Sequence, residues 1–200
     1  PSDAYRPRYS PDGASILYGI QRDPFFYADK IRLVRFDRAS LAHTVLTEAW
    51  DRSPSSWEFA ADGTLFLEVE DDGAPRLFAY AAGDAAPRRL TGEGSVSGLA
   101  VGKDGRLYFT HQTISSPANV ASCRADGSDL RMATRFNEAI LGEVALGEVR
   151  EVVYTGAAGR SVRMYVVLPP GYDPSKRWPL VQVIHGGPHG ISADSFHFRW

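Results

Sequence analysis

The stretch WEFAADGTLFLEV, residues 57–69, decides the fold, because variants of it stand at 8–19 (RYSPDGASILYG) and at 99–111 (LAVGKDGRLYFTH). Each reads as an apolar run, Asp-Gly, one or two spacer residues and a second apolar run. The pairs are Asp12-Gly13, Asp62-Gly63 and Asp104-Gly105, spaced by 50 and 42 residues. Asp-Gly between alternating apolar runs predicts a hairpin, since glycine reaches the positive φ that a tight turn requires and aspartate bonds the turn's own backbone. A second repeated set follows: LVRFDRASLAHTVLT (33–47), LFAYAAGDAAPRRLT (77–91) and VASCRADGSDLRMAT (120–134), with start-to-start spacings of 44 and 43. Two hairpins, or four short strands, per unit of a little over 40 residues is the period of a β-propeller blade.

Three such blades fit within residues 1–135, and three do not close a ring, because propellers hold typically four to eight blades. Further blades are therefore expected before Pro1, in a chain that begins downstream of the true N-terminus. Residues 136–147 read as a connecting segment, and 148–200 as the start of a second domain. In that second domain, EVREVVYT (148–155) and SVRMYVVLP (161–169) alternate as strands around the turn GAAGR. PGYDPSKRW follows as a surface loop rich in turn formers. PLVQVIH (179–185) is nearly all apolar, as a central strand buried on both faces requires. After it, Ser192 and Asp194 are N-cap candidates for a helix.

The predicted strand runs directly into His185-Gly186-Gly187-Pro188. Two adjacent glycines open positive φ and let another molecule approach their N–H groups, while Pro188 fixes its own φ and donates nothing. Such a loop faces anions.

Composition bounds the rest. The chain has 200 residues, 44% of them hydrophobic and 23% charged, with 22 basic and 24 acidic side chains for a net charge of −2. The signs are well mixed, so neither nucleic acid nor anionic lipid is expected as a partner. No apolar run approaches the roughly 20 residues of a membrane helix. Cys123 is the only cysteine. It excludes an intrachain disulfide and a cysteine metal cluster and leaves the compartment open. The five histidines (His43, His111, His185, His189 and His197) have no paired spacing for a metal, and no cofactor is expected. EVEDDG (68–73) imitates the start of a calcium loop, but the twelfth position is Ala79, and a hairpin turn at Asp71-Asp72-Gly73 explains the same letters. TGEGSVSG (91–98) has glycines one residue too wide for a dinucleotide fingerprint. Trp57, Phe59, Phe66, Tyr108 and Phe109 read as blade packing.

The order of SPDG-bearing blades, strand pair, PPGYDPSKRWPL (169–180) and HGGPHG (185–190), followed by SFHFRW (195–200), resembles the prolyl oligopeptidase family of serine peptidases, with its acylaminoacyl-peptidase and dipeptidyl-peptidase branches. The resemblance covers the whole chain. It implies a mostly β segment: propeller blades forming part of a ring, then the N-terminal strands of an α/β-hydrolase domain to which the propeller restricts access. It also implies acyl-enzyme catalysis by a Ser-Asp-His triad, the serine on a Gly-x-Ser-x-Gly turn. No serine of this sequence has glycine both two before and two after; Ser161 and Ser192 have only the first. By the family's order, all three triad residues lie beyond this segment, which alone would be inactive.

Carried over residue by residue, the second glycine of His-Gly-Gly offers an oxyanion-binding N–H, which places that role on Gly187. Gly186 and His185 support the loop. The expected partner is a short peptide; whether its amine is free or blocked stays open, as does assembly into a homo-oligomer. Glu70, Asp71 and Asp72 are candidates to grip a free amine, with solvated turn acids as the plainer reading. A non-catalytic propeller binding module and an esterase of the same fold are the alternatives.

Overall fold

A computed structural model describes residues 4–23, 25–187 and 190–198. Three four-stranded antiparallel sheets follow one another, each in simple chain order. The first holds β1 (Ala4–Tyr9), β2 (Ser15–Ile20), β3 (Arg32–Asp37) and β4 (His43–Val45). The second holds β5 (Pro54–Phe59), β6 (Leu65–Asp71), β7 (Ala74–Tyr80) and β8 (Arg88–Arg89). The third holds β9 (Ser95–Val101), β10 (Leu107–Thr113), β11 (Ser116–Cys123) and β12 (Arg131–Met132). These are three β-propeller blades.

The three Asp-Gly pairs make the same turn. Gly13, Gly63 and Gly105 have φ of 69°, 87° and 77°. Their N–H groups bond the carbonyls of Ser10, Ala60 and Gly102 at 2.8, 3.0 and 3.0 Å. Each aspartate Oδ1 accepts the N–H two residues on: Ala14 at 3.0 Å, Thr64 at 2.9 Å and Arg106 at 3.1 Å. The second repeated set also has one physical content. The N–H groups of Leu33, Leu77 and Val120 donate to the hydroxyls of Thr47, Thr91 and Thr134 at 2.9, 3.0 and 2.9 Å. Those six residues are the first and last letters of the three repeated segments, so a side-chain clasp closes the outer half of each blade.

Between blades the apolar faces interdigitate. Leu17 and Leu33 of the first blade pack with Trp57, Leu65, Leu67, Val69 and Phe78 of the second. Phe66, Leu77 and Ala79 on the second pack with Val96, Leu99, Leu107, Phe109, Ala121 and Cys123 of the third. Burial of such side chains contributes about 1.5–3 kcal/mol each, so neighbouring blades are mutually dependent. Glu68, buried in this seam, accepts the N–H of Leu99 and so links the second blade to the third.

Beyond the blades, a short helix α1 (Glu138–Gly142) precedes the hairpin of β13 (Val149–Thr155) and β14 (Ser161–Val167). Two expectations from sequence are corrected here. Residues 179–185 form no strand: no described strand pairs with them, and Leu180 and Val181 are 90% and 83% exposed. A two-faced central strand requires neighbouring strands and cover on both sides, and the described residues supply neither. Residues 191–198 form no helix. Asp194 does not cap a helix; its carboxylate accepts the N–H groups of Ile114 and Gly94 at 2.8 and 3.2 Å, which holds the segment against the third blade. Among the described residues, no helix is long and apolar enough to cross a membrane.

Candidate active-site loop and the cleft beneath the blades

The middle hairpins of the three blades all meet the chain that follows them. In the second blade, β6 and β7 are joined by Asp72-Gly73, with φ of 54° and 78° and with Asp71 paired to Ala74. This is the two-residue turn with both φ positive that the sequence announces. Its Asp72 accepts from Arg163 on β14 at 2.9 Å. In the third blade, Ile114 between β10 and β11 donates to Asp194, and Ser95 Oγ donates to the Asp194 carbonyl at 2.7 Å. In the first blade, the loop between β2 and β3 carries Tyr27, whose hydroxyl donates to the carbonyl of Gly187 at 2.7 Å.

The predicted oxyanion loop is thus tied to the propeller through Gly187. That residue has φ of 143°, open in practice to glycine alone. Among the described residues its N–H has no acceptor. A Cβ added at Gly186 would meet nothing within 4 Å, so the loop's outer side is open. His185 Nδ1 lies 3.1 Å from the Gly186 carbonyl oxygen, a local bond in which the Nδ1–H tautomer donates. His185 is therefore a hydrogen-bonded loop residue. Pro188 and His189 lie outside the described residues, as does Pro1.

A cavity of about 420 Å³ lies between the second and third blades and the β13–β14 hairpin, with Asp72, Arg76, Arg89, Glu151, Arg163 and Tyr165 among its walls. Gly187 is not part of this lining. Its charges are largely matched. Arg163 bonds Asp72 and Glu151, and Arg89 stands 3.4 Å from both Asp71 and Asp72. Burial opposes the charge on Arg163, but Glu151 and Asp72 together raise its pKa. Burial, then repulsion from Arg89, lowers that of Arg76, whose buried Nη1 donates to the Gly94 carbonyl. Tyr165 is raised, first by burial and then by the negative charges of Asp194 and Glu151. Such a mutually neutralised set suits a docking seam between two parts of a chain better than a reaction centre.

Of the acids that could grip an amine, Asp71 and Asp72 are already engaged. Asp71 accepts from Arg52 at 2.7 Å, and Asp72 is held by Arg163 and Arg89. Only Glu70 lacks such a guanidinium partner among the described residues. The other described histidines have local partners: His43 Nδ1 bonds the Tyr18 hydroxyl at 2.8 Å, His111 Nε2 lies 3.0 Å from the Glu93 carbonyl, and His197 stacks on Phe198. Cys123 is buried, which pushes its thiol up to about 11 and removes it as a nucleophile at neutral pH. Sequence reasoning missed Tyr27, Arg163 and the blade contact of Asp194, because each acts across long sequence separations with no local pattern.

No family model matches the chain. A probable dipeptidyl-peptidase 5 of Aspergillus clavatus is 34% identical over 206 residues, which is 99% of this chain and 28% of that protein. The probable dipeptidyl-peptidase 5 of Emericella nidulans is 29% identical over the same length and coverage. At that coverage the matches take in blades, hairpin and glycine loop alike. The chain resembles the dipeptidyl-peptidase branch of the prolyl oligopeptidase family over nearly its whole length. A structure of Pyrococcus horikoshii acylaminoacyl peptidase superposes with a TM-score of 0.77 at 18% identity, over 94% of this chain and 29% of that one. At that identity the match speaks for the fold alone. The chain spans 28% of the length of the curated relatives it matches.

Proposed function

We propose that the protein carrying this chain is a serine peptidase that cleaves short peptides through an acyl-enzyme. In this reading residues 1–135 are part of the gating propeller, 148–200 open an α/β-hydrolase domain, and the Gly187 N–H receives the oxyanion. Gly186 and His185 shape the loop, and the nucleophile, Asp and His lie outside this segment, which by itself is inactive. The observation that carries the reading is the geometry of Gly187: a glycine-only φ of 143°, its carbonyl taken by Tyr27 and its N–H, in the preceding peptide unit, left for a ligand. Relatives named dipeptidyl-peptidase support peptide over other acyl substrates.

A fixed donor aimed where negative charge develops contributes about 2.7–4 kcal/mol, or 10²–10³ in kcat. In the full-length protein, Gly187→Pro deletes that N–H, and turnover of a dipeptide anilide is expected to fall by about that factor. Unchanged turnover in a folded variant overturns the assignment. The matched ester separates peptidase from esterase, and an N-acylated substrate beside the free amine identifies the branch.

A further inference from the structure

We propose that Tyr27, on the propeller, is a positioning residue for the oxyanion loop, setting the orientation of the Gly187 peptide from outside the catalytic domain. The inference rests on the reading of Gly187 as oxyanion donor. Two consecutive glycines have no side chains with which to anchor themselves, and fixing a glycine backbone opposes the largest conformational entropy of any residue. Among the described residues, the loop's one tie to another part of the fold is the Tyr27 hydroxyl, which reaches the Gly187 carbonyl over a sequence separation of 160 residues. Holding that carbonyl fixes ψ of Gly187 and limits how far its own N–H can swing.

The anchor has a rigid base. Asp29 accepts the N–H groups of Arg22 and Asp23 at 2.7 and 3.2 Å, and Arg32 Nη1 donates to its carboxylate at 3.1 Å. Gln21 Nε2 donates to the Tyr27 carbonyl at 3.1 Å and also to the Asp29 carbonyl, while Tyr5 holds Gln21 by its Oε1. The Tyr27 backbone is thus clamped from both ends of its loop. The equivalent hairpins of the other two blades contact Arg163 and Asp194, so of the three hairpins it is the first blade's that meets the glycine loop. By this route the placement of the propeller reaches the oxyanion site without touching substrate.

The test uses Tyr27→Phe in the full-length protein, which keeps the ring and removes one hydroxyl from a side chain that is 66% exposed. Kinetics with a dipeptide anilide are combined with inhibition by a dipeptide boronic acid, whose adduct places an oxygen where the oxyanion forms, and with crystallographic B-factors of residues 185–187 relative to the rest of the chain. Expected are a fall in kcat of about tenfold, the scale of one lost hydrogen bond, and a parallel loss of boronate affinity. KM and inhibition by the product dipeptide should hold within about twofold, with raised B-factors in the loop. Unchanged loop B-factors overturn the tether. Raised B-factors with unchanged kcat and boronate affinity keep the tether but overturn Gly187 as donor, and the positioning role with it. A raised KM at steady kcat makes Tyr27 a substrate contact and also overturns the proposal. Should Tyr27→Phe fail to accumulate, Asp29→Asn, which loosens the base of the same loop, replaces it in the same measurements, and each outcome then supports or overturns the proposal as it does for Tyr27→Phe.

Discussion

Arg163 and Asp72 meet at 2.9 Å across 91 residues, joining the turn of the second blade to the strand pair that follows the propeller. The next residue, Gly73, has φ of 78°, and a Cβ built there would stand 2.7 Å from Arg163 Cδ. Gly73→Ala is therefore expected to destabilise the full-length protein by about 1–2 kcal/mol through backbone strain and contact with Arg163. Asp72→Asn, at a half-exposed carboxylate, should cost less than about 1 kcal/mol. Urea midpoints of the two variants give the order; the reverse order means the ion pair dominates the seam.

Thr47 is buried and its hydroxyl accepts the Leu33 N–H. Thr47→Val keeps the shape but orphans that buried donor, at a cost of about 1–3 kcal/mol. At Thr134, which is less buried, water replaces the lost hydroxyl and Thr134→Val should cost less. Denaturant midpoints at constant m-value test this.

Asp29 has its pKa lowered to about 2, first by the Arg22 N–H, against some burial, then by Asp23 and Arg32. A carboxyl depressed in the folded state contributes stability above its unfolded pKa of about 3.9 and loses it as pH falls towards the folded value. Hydrogen exchange across residues 21–32 should therefore accelerate between about pH 4 and pH 2, and Asp29→Asn should abolish that step. A step of the same size in the variant assigns it to another carboxylate.

Cys123, 1% exposed with its thiol pushed up to about 11, should resist alkylation by iodoacetamide at pH 8 in the folded protein and react promptly in denaturant. Prompt native reaction means that the seam between the second and third blades opens readily.

The blades were legible in the sequence because their determinants are local. Asp62-Gly63 bonds itself, and the Leu77–Thr91 clasp spans 14 residues, so both leave a repeating mark in the letters. The glycine loop was legible as a loop for the same reason. Its partner Tyr27 was not, since DPFFYADK carries no mark of a contact 160 residues away. The failure at 179–185 has the opposite cause. Seven mostly apolar letters report what a segment needs around it, and burial on two faces is a property of its neighbours. Asp194 shows a third case: a good capping residue was recruited by the free N–H groups of Gly94 and Ile114, competition that a single sequence does not display.

The threonine clasps bear on how the molecule acquires its shape during synthesis. Because Leu33 finds Thr47, and Leu77 finds Thr91, within one short stretch, each outer hairpin can zip up soon after leaving the ribosome, at little loop-closure cost. The tether between Tyr27 and Gly187 closes over 160 residues and must come late. A nascent chain would then hold finished blades while the glycine loop is still loose, so the part assigned to chemistry is the last to set.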